Sequence, residues 1–265
     1  MQQQPISLKI GSNMFTEQMK WTVWFIGISF LVHIIQICAN LLGTRSDNNE
    51  VTDYFLASHI AGNIYMLVIG IIAAYAFLPF FVQNGLTRRD VFKGSLLAAI
   101  GLSIVIPIIT LILSLLVGWI VDLFNLPVTI TDMPVFDKED TSGNLIEAIV
   151  FSILDAPTGV HENLSLALLL NTLNLFFFYI VGYFITTGFY RFNVMIGLGY
   201  ILISISLISI RSMFWGTNTM DIVYNWLPIG TFQLSSSAFI VASIVLSLII
   251  IWLIRLTTKK MAIKL

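Results

Sequence analysis

Asn84-Gly85-Leu86-Thr87-Arg88-Arg89-Asp90-Val91-Phe92-Lys93-Gly94 is a short basic segment set between two long apolar runs, residues 54–82 and 95–120. Each run is long enough to cross a bilayer, which takes roughly 20 apolar residues in a helix. The segment between them is therefore a tight turn at one membrane face. Arg88, Arg89 and Lys93 against Asp90 alone assign that face to the cytoplasm, because basic residues are retained on the inner side. Gly85 suits the end of the preceding helix and Thr87 the cap of a new one, which would carry Arg88, Asp90, Val91 and Phe92 as a short helix along the membrane. Two readings of its charges stand side by side: a topogenic loop that only keeps its own side, or a contact surface for a cytoplasmic partner.

Composition agrees with a membrane chain. Of 265 residues, 57% are hydrophobic and 10% charged, and the mean hydropathy is +0.92, whereas about a quarter of a soluble domain is charged. The fold class this dictates is all-α integral membrane, a single transmembrane domain over residues 1–265 with no nucleotide-binding domain. Six spans are predicted, at about 21–42, 54–82, 95–120, 164–187, 194–210 and 232–256. With the N-terminus inside, only Arg45, Lys138 and Arg211 of the basic residues fall outside, and only Glu17 and Asp90 of the acids fall inside. Both termini are thus expected in the cytoplasm. The single cysteine, Cys38, allows no intrachain disulfide.

Ahead of the first span, Ile6, Leu8, Ile10, Met14, Phe15 and Met19 lie among Lys9, Glu17 and Lys20. The pattern suits an amphipathic segment on the inner surface, although Gly11, Ser12 and Asn13 interrupt its period. Within the first span His33, Gln36 and Asn40 stack on one helix face. The second span offers Ser58, His59 and Asn63 near its outer end, level with Gln36 and Asn40 in an antiparallel pair. Hydrogen bonding between these two helices is the expected role, with a substrate-lining role as the other reading. Ala57 with Ala61, and Gly70 with Ala74, permit close helix approach. Pro79 and Pro107 each remove a backbone donor and should bend their spans.

Outside, residues 144–156 read as a short interfacial helix, with Asn144 and Glu147 at capping-box spacing. Asn171 and Asn174 stand beside an aromatic run in the fourth span, and Arg191 anchors a tight inner hairpin. Residues 221–228 suit half a helix dipping back into the bilayer, a structure tolerated where protein or water covers it. No Gly-x-x-x-x-Gly-Lys-Ser/Thr loop, His-Glu-x-x-His pair or Gly-x-Ser-x-Gly elbow occurs. Every Asp and Glu falls in a loop, so the acid that proton-coupled transport usually keeps in the membrane is missing. An energy source on another chain is expected.

Six spans with cytoplasmic ends, an N-terminal surface segment, the basic turn at 84–92 and a Trp226-Leu227-Pro228 stretch before the last span together resemble the permease subunit of a bacterial ABC exporter of the type-2 permease superfamily. The resemblance covers nearly the whole chain, and the turn is its motif-like part. The chain is also similar, in size and texture, to stand-alone permeases of peptide and antimicrobial exporters in low-GC bacteria. The resemblance implies a multi-pass protein of the bacterial cell membrane, paired with itself or with a similar permease. It implies separate cytoplasmic ABC ATPase subunits that carry the ATP and Mg, no cofactor in this chain, and no nucleic-acid partner. Asn84, Gly85, Thr87, Arg88, Arg89, Asp90 and Phe92 would form the coupling helix, residues 5–20 a connecting helix, and residues 221–228 the re-entrant piece. A central fifth span would turn Val194, Gly197, Leu198, Ile201 and Ser204 toward the symmetry mate or the path. The larger outer loop falls between spans three and four, unlike the best-studied members. Competing readings are a membrane-embedded enzyme using His33, His59 and Asn63, and an immunity or sensor protein without an ATPase.

Overall fold

The computed structural model describes residues 5–42, 50–131, 163–192, 194–215 and 235–259. Among them are six helices long and apolar enough to cross a membrane: α1 (Ile6–Leu41), α2 (Tyr54–Gln83), α3 (Arg88–Leu123), α4 (Leu164–Arg191), α5 (Val194–Trp215) and α6 (Ser236–Thr258). The all-α, multi-pass architecture read from composition is the one the chain builds. The expected interfacial helix at 144–156 and re-entrant piece at 221–228 lie outside the described residues.

One addition was not legible in the sequence. β1 (Glu50–Thr52) and β2 (Thr129–Thr131) pair in parallel, with Glu50 opposite Thr129. These tripeptides follow α1 and α3, so the pairing ties together the two connections that leave those helices. Asp53, next in the chain, caps α2 through the Phe55 amide at 3.0 Å and accepts the Ser114 hydroxyl of α3 at 2.5 Å.

The exterior is apolar, as lipid requires, and the interior is organised on α4. Leu170, Leu175, Phe177, Phe178, Tyr179, Ile180 and Val181 of that helix are all buried, with α2, α3, α5 and α6 packed around it. Where lipid tails are as apolar as the side chains, helices associate through close van der Waals contact, which small residues permit. Gly70 of α2 faces the backbone of Tyr179, and Gly182 of α4 faces the backbone of Leu67. A Cβ at either glycine would overlap the opposing carbonyl group, so the two backbones touch at a reciprocal crossing.

α1 is one unbroken helix from Ile6, so the segment expected on the inner surface is continuous with the first span. Its opening turns bury Ile10, Met14 and Gln18. Gly11, read in the sequence as an interruption, is the point where α1 meets Gly94 of α3. α1 accordingly packs mainly on α3. Pro79 is accommodated by a π-helical turn, Ala73–Phe77, closed by the Leu78 amide on the Ala73 carbonyl. The wider turn relieves the clash between the proline ring and the carbonyl four residues back. α3 runs through Pro107 without ending.

Candidate functional site

Among the described residues, charged and polar side chains gather most densely at the turn between α2 and α3 and in a cluster inside the bundle. In the turn, α2 ends as its glycine demands. Gly85 adopts φ +83°, the left-handed region open to a residue without Cβ, and its amide bonds the Val82 carbonyl at 3.0 Å. The Leu86 amide reaches back to the Phe81 carbonyl at 3.1 Å, which completes the Schellman arrangement. The Asn84 side chain adds a bond to the Phe80 carbonyl at 2.7 Å. Thr87 then opens α3: its hydroxyl accepts the Asp90 amide at 3.2 Å and donates to the Asp90 carboxylate at 2.6 Å.

The helix that Thr87 caps is α3 itself, so residues 88–94 are the first turns of a span. The expected short helix along the membrane is therefore not a separate element. The reason lies in Val91, Phe92, Gly94 and Ser95, which are buried against the bundle and hold the helix upright. Phe92 packs on Tyr183 at 5.8 Å between ring centroids and faces inward. Asn84, Gly85, Thr87, Arg89 and Lys93 are exposed, and Arg88 and Asp90 half-buried. Among the described residues none of Arg88, Arg89 and Lys93 forms a salt bridge, the one such pair being Lys20 with Glu17.

The polar set expected to join α1 to α2 divides in two. His59 and Asn63 of α2 turn to α4. His59 Nδ1 lies 2.9 Å from Asn171 Oδ1, and Asn174 Nδ2 lies 3.0 Å from His59 Nε2 and 2.7 Å from Asn63 Oδ1. Arg211 of α5 donates to Asn174 Oδ1, which fixes the orientation of that amide. Since Asn174 Nδ2 can only donate, His59 Nε2 accepts and Nδ1–H donates to Asn171, the neutral tautomer with both nitrogens engaged. The Arg211 guanidinium also lies 5.0 Å from the Phe177 ring and 5.3 Å from the Phe239 ring of α6, in cation–π contact. The cluster therefore joins α2, α4, α5 and α6.

His33 and Asn40 are buried on α1 and Gln36 is half-buried. His33 leans on Tyr54 at 5.2 Å, and its Nδ1 has no hydrogen-bond partner among the described residues. A cleft of about 370 Å³ between α1 and α2 is lined by Ser29, His33, Gln36 and Tyr54 with apolar neighbours. Lower down, Gln18 Nε2 donates to Tyr179 Oη at 3.3 Å, and the hydroxyls of Thr22 and Tyr65 meet at 2.8 Å.

Arg211, placed outside by charge counting, is a buried residue of α5, which continues past the apolar run to Trp215. The signal was present in Phe214-Trp215, an aromatic pair of the kind that marks an interface, one turn beyond the arginine. Of the fifth-span residues, Val194 and Leu198 are exposed and Ile201 half-buried, whereas Gly197 and Ser204 point inward. Gly197 lies against the Phe189 ring, and the Ser204 hydroxyl bonds the Tyr200 carbonyl at 2.8 Å. The five do not form one outward face. Among the described residues no three of His, Cys, Asp and Glu come together as metal ligands. Comparison with protein-family models, curated proteins and solved structures gives no match.

Proposed function

We propose that the chain is the transmembrane subunit of an ATP-driven exporter of the bacterial cell membrane, moved by a separate cytoplasmic ABC ATPase that carries the ATP and Mg. The observation that carries this reading is the construction of the α2–α3 turn. Exposed Arg89 and Lys93 and half-buried Arg88 stand on a turn fixed at both ends by capping bonds, and the turn opens directly into the 36-residue helix α3. A helix of that length is about 54 Å long at 1.5 Å per residue, so a push on the turn is delivered to the outer face by a continuous rod. Gly94 against Gly11 passes the same displacement to α1. In this reading the subunit works as a dimer with itself or with a similar permease, carries no cofactor, catalyses no reaction, and passes an amphipathic or hydrophobic substrate such as a peptide, a drug or a lipid-like molecule.

The enzyme reading loses support at His59, whose two ring nitrogens are committed to Asn171 and Asn174 and are not free to act as a base. Reversing the charge at the turn tests the proposal. Arg88→Glu with Arg89→Glu should weaken ATPase docking by about tenfold or more, as expected when charges at an interface rim are inverted. ATP hydrolysis should then proceed without transport. Normal assembly and transport in the double variant would return the turn to a purely topogenic role.

A further inference from the structure

Beside the turn, the first turns of α3 and the last turn of α6 enclose a cleft of about 270 Å³ lined by Arg88, Arg89, Phe92, Arg255, Thr258 and Lys259. Four cations from two distant stretches of the sequence are gathered there by the fold. Among the described residues none of the four is in a salt bridge. Asp90, the acid of this stretch, already accepts the Thr87 hydroxyl. Arg191 on the same side of the bundle shows what a committed cation looks like: it donates to the Leu256 and Thr257 carbonyls at 3.3 and 3.2 Å. Like charges held this close are stabilised by an anion between them.

We propose that the cleft binds the phosphate headgroup of an anionic phospholipid from the cytoplasmic leaflet. The chemistry called for is a phosphate, and the surroundings select one attached to acyl chains. One turn toward the membrane from Arg255, Trp252 is 60% exposed, and the adjoining Leu256 is 47% exposed. Apolar surface thus begins where the cations end. Tryptophan is at home at the headgroup level, and basic pockets between spans on the cytoplasmic side hold anionic headgroups. Phe92 beneath the cations gives the cleft an apolar floor, which suits glycerol and the first methylenes better than a fully hydrated ion. The proposal does not depend on the exporter reading, because the site needs no ATPase.

The test uses the full chain purified in neutral detergent and stripped of lipid. Phosphatidylglycerol, phosphatidylcholine or millimolar inorganic phosphate is added, retained molecules are counted by native mass spectrometry, and the unfolding midpoint is followed. Phosphatidylglycerol should be retained and should raise the midpoint, while phosphatidylcholine and inorganic phosphate should do neither. Arg255→Gln with Lys259→Gln, which leaves residues 84–94 intact, should weaken phosphatidylglycerol binding by about thirtyfold. Both side chains are exposed, so the variant should unfold as the parent does in lipid-free detergent. The parent's choice between the two lipids decides the matter even without the variant. Equal retention of phosphatidylcholine, an equal response to inorganic phosphate, or undiminished binding by the variant would each overturn the proposal. An acidic peptide that displaced phosphatidylglycerol from the parent at matched concentration would assign the cleft to a protein partner instead.

Discussion

Replacing Asn174 by alanine removes a single side chain that serves three others. Its amide nitrogen donates to His59 and Asn63, and its carbonyl oxygen accepts from Arg211. Hydrogen bonds between spans average about 0.6 kcal/mol, so three of them set a floor near 2 kcal/mol. Withdrawing one acceptor from a buried guanidinium adds about 1–3 kcal/mol, and the variant should lose roughly 3–5 kcal/mol in all. Gln36→Ala, at a half-buried position on the periphery, should cost under about 1 kcal/mol. Reversible unfolding in mixed detergent micelles, followed by far-ultraviolet circular dichroism, measures both. The double variant Asn174→Ala, Arg211→Met separates the two contributions, because without the cation the loss of its bond to Asn174 no longer adds to the cost. It should lie at least about 1 kcal/mol above the sum of the single changes. An Asn174→Ala variant within about 0.5 kcal/mol of the parent would refute the view that this amide holds the cluster together.

Gly182→Ala should destabilise the chain by about 3 kcal/mol or more, since its Cβ meets the Leu67 carbonyl and neither backbone can yield. Gly118→Ala, with open space around it, should stay within about 1 kcal/mol, so the same unfolding measurement supplies its own control. In a Cys38→Ser background, single cysteines at the exposed positions Val194 and Leu198 should crosslink two copies of the chain if the fifth helix lies at a dimer interface, while those at Gly197 and Ser204 should not. Crosslinks at the inward pair alone would contradict the orientation of α5.

Hydropathy sufficed to find the six helices because a bilayer imposes one length on every span. It located the ends of apolar runs, however, and not the ends of helices. Charge counting therefore places Arg211 outside although α5 carries it buried, and apolar content alone separates the start of α1 from the helix it belongs to. The turn was readable residue by residue, since Gly85 and Thr87 act through their own backbones and immediate neighbours. The polar cluster was only half readable. Helical spacing shows which residues share a face, and so grouped His33, Gln36 and Asn40 and singled out His59 and Asn63. It does not show which helix that face will meet. Adjacency in the chain points to α1 and α2, yet α4 supplies the partners of His59 and Asn63 because the Gly70–Gly182 crossing draws α2 onto α4. β1 and β2 were invisible because three residues are too few to display a period.

Whether this chain serves a separate ATPase is decided by affinity purification from its native membrane in mild detergent. With a tag at the C-terminus and protein stoichiometry measured by mass spectrometry, a P-loop ATPase should appear at one copy per permease chain and be lost when Arg88 and Arg89 are both changed to Glu. Recovery of the chain without any P-loop ATPase, under conditions in which its transport or protective activity is retained, would contradict it.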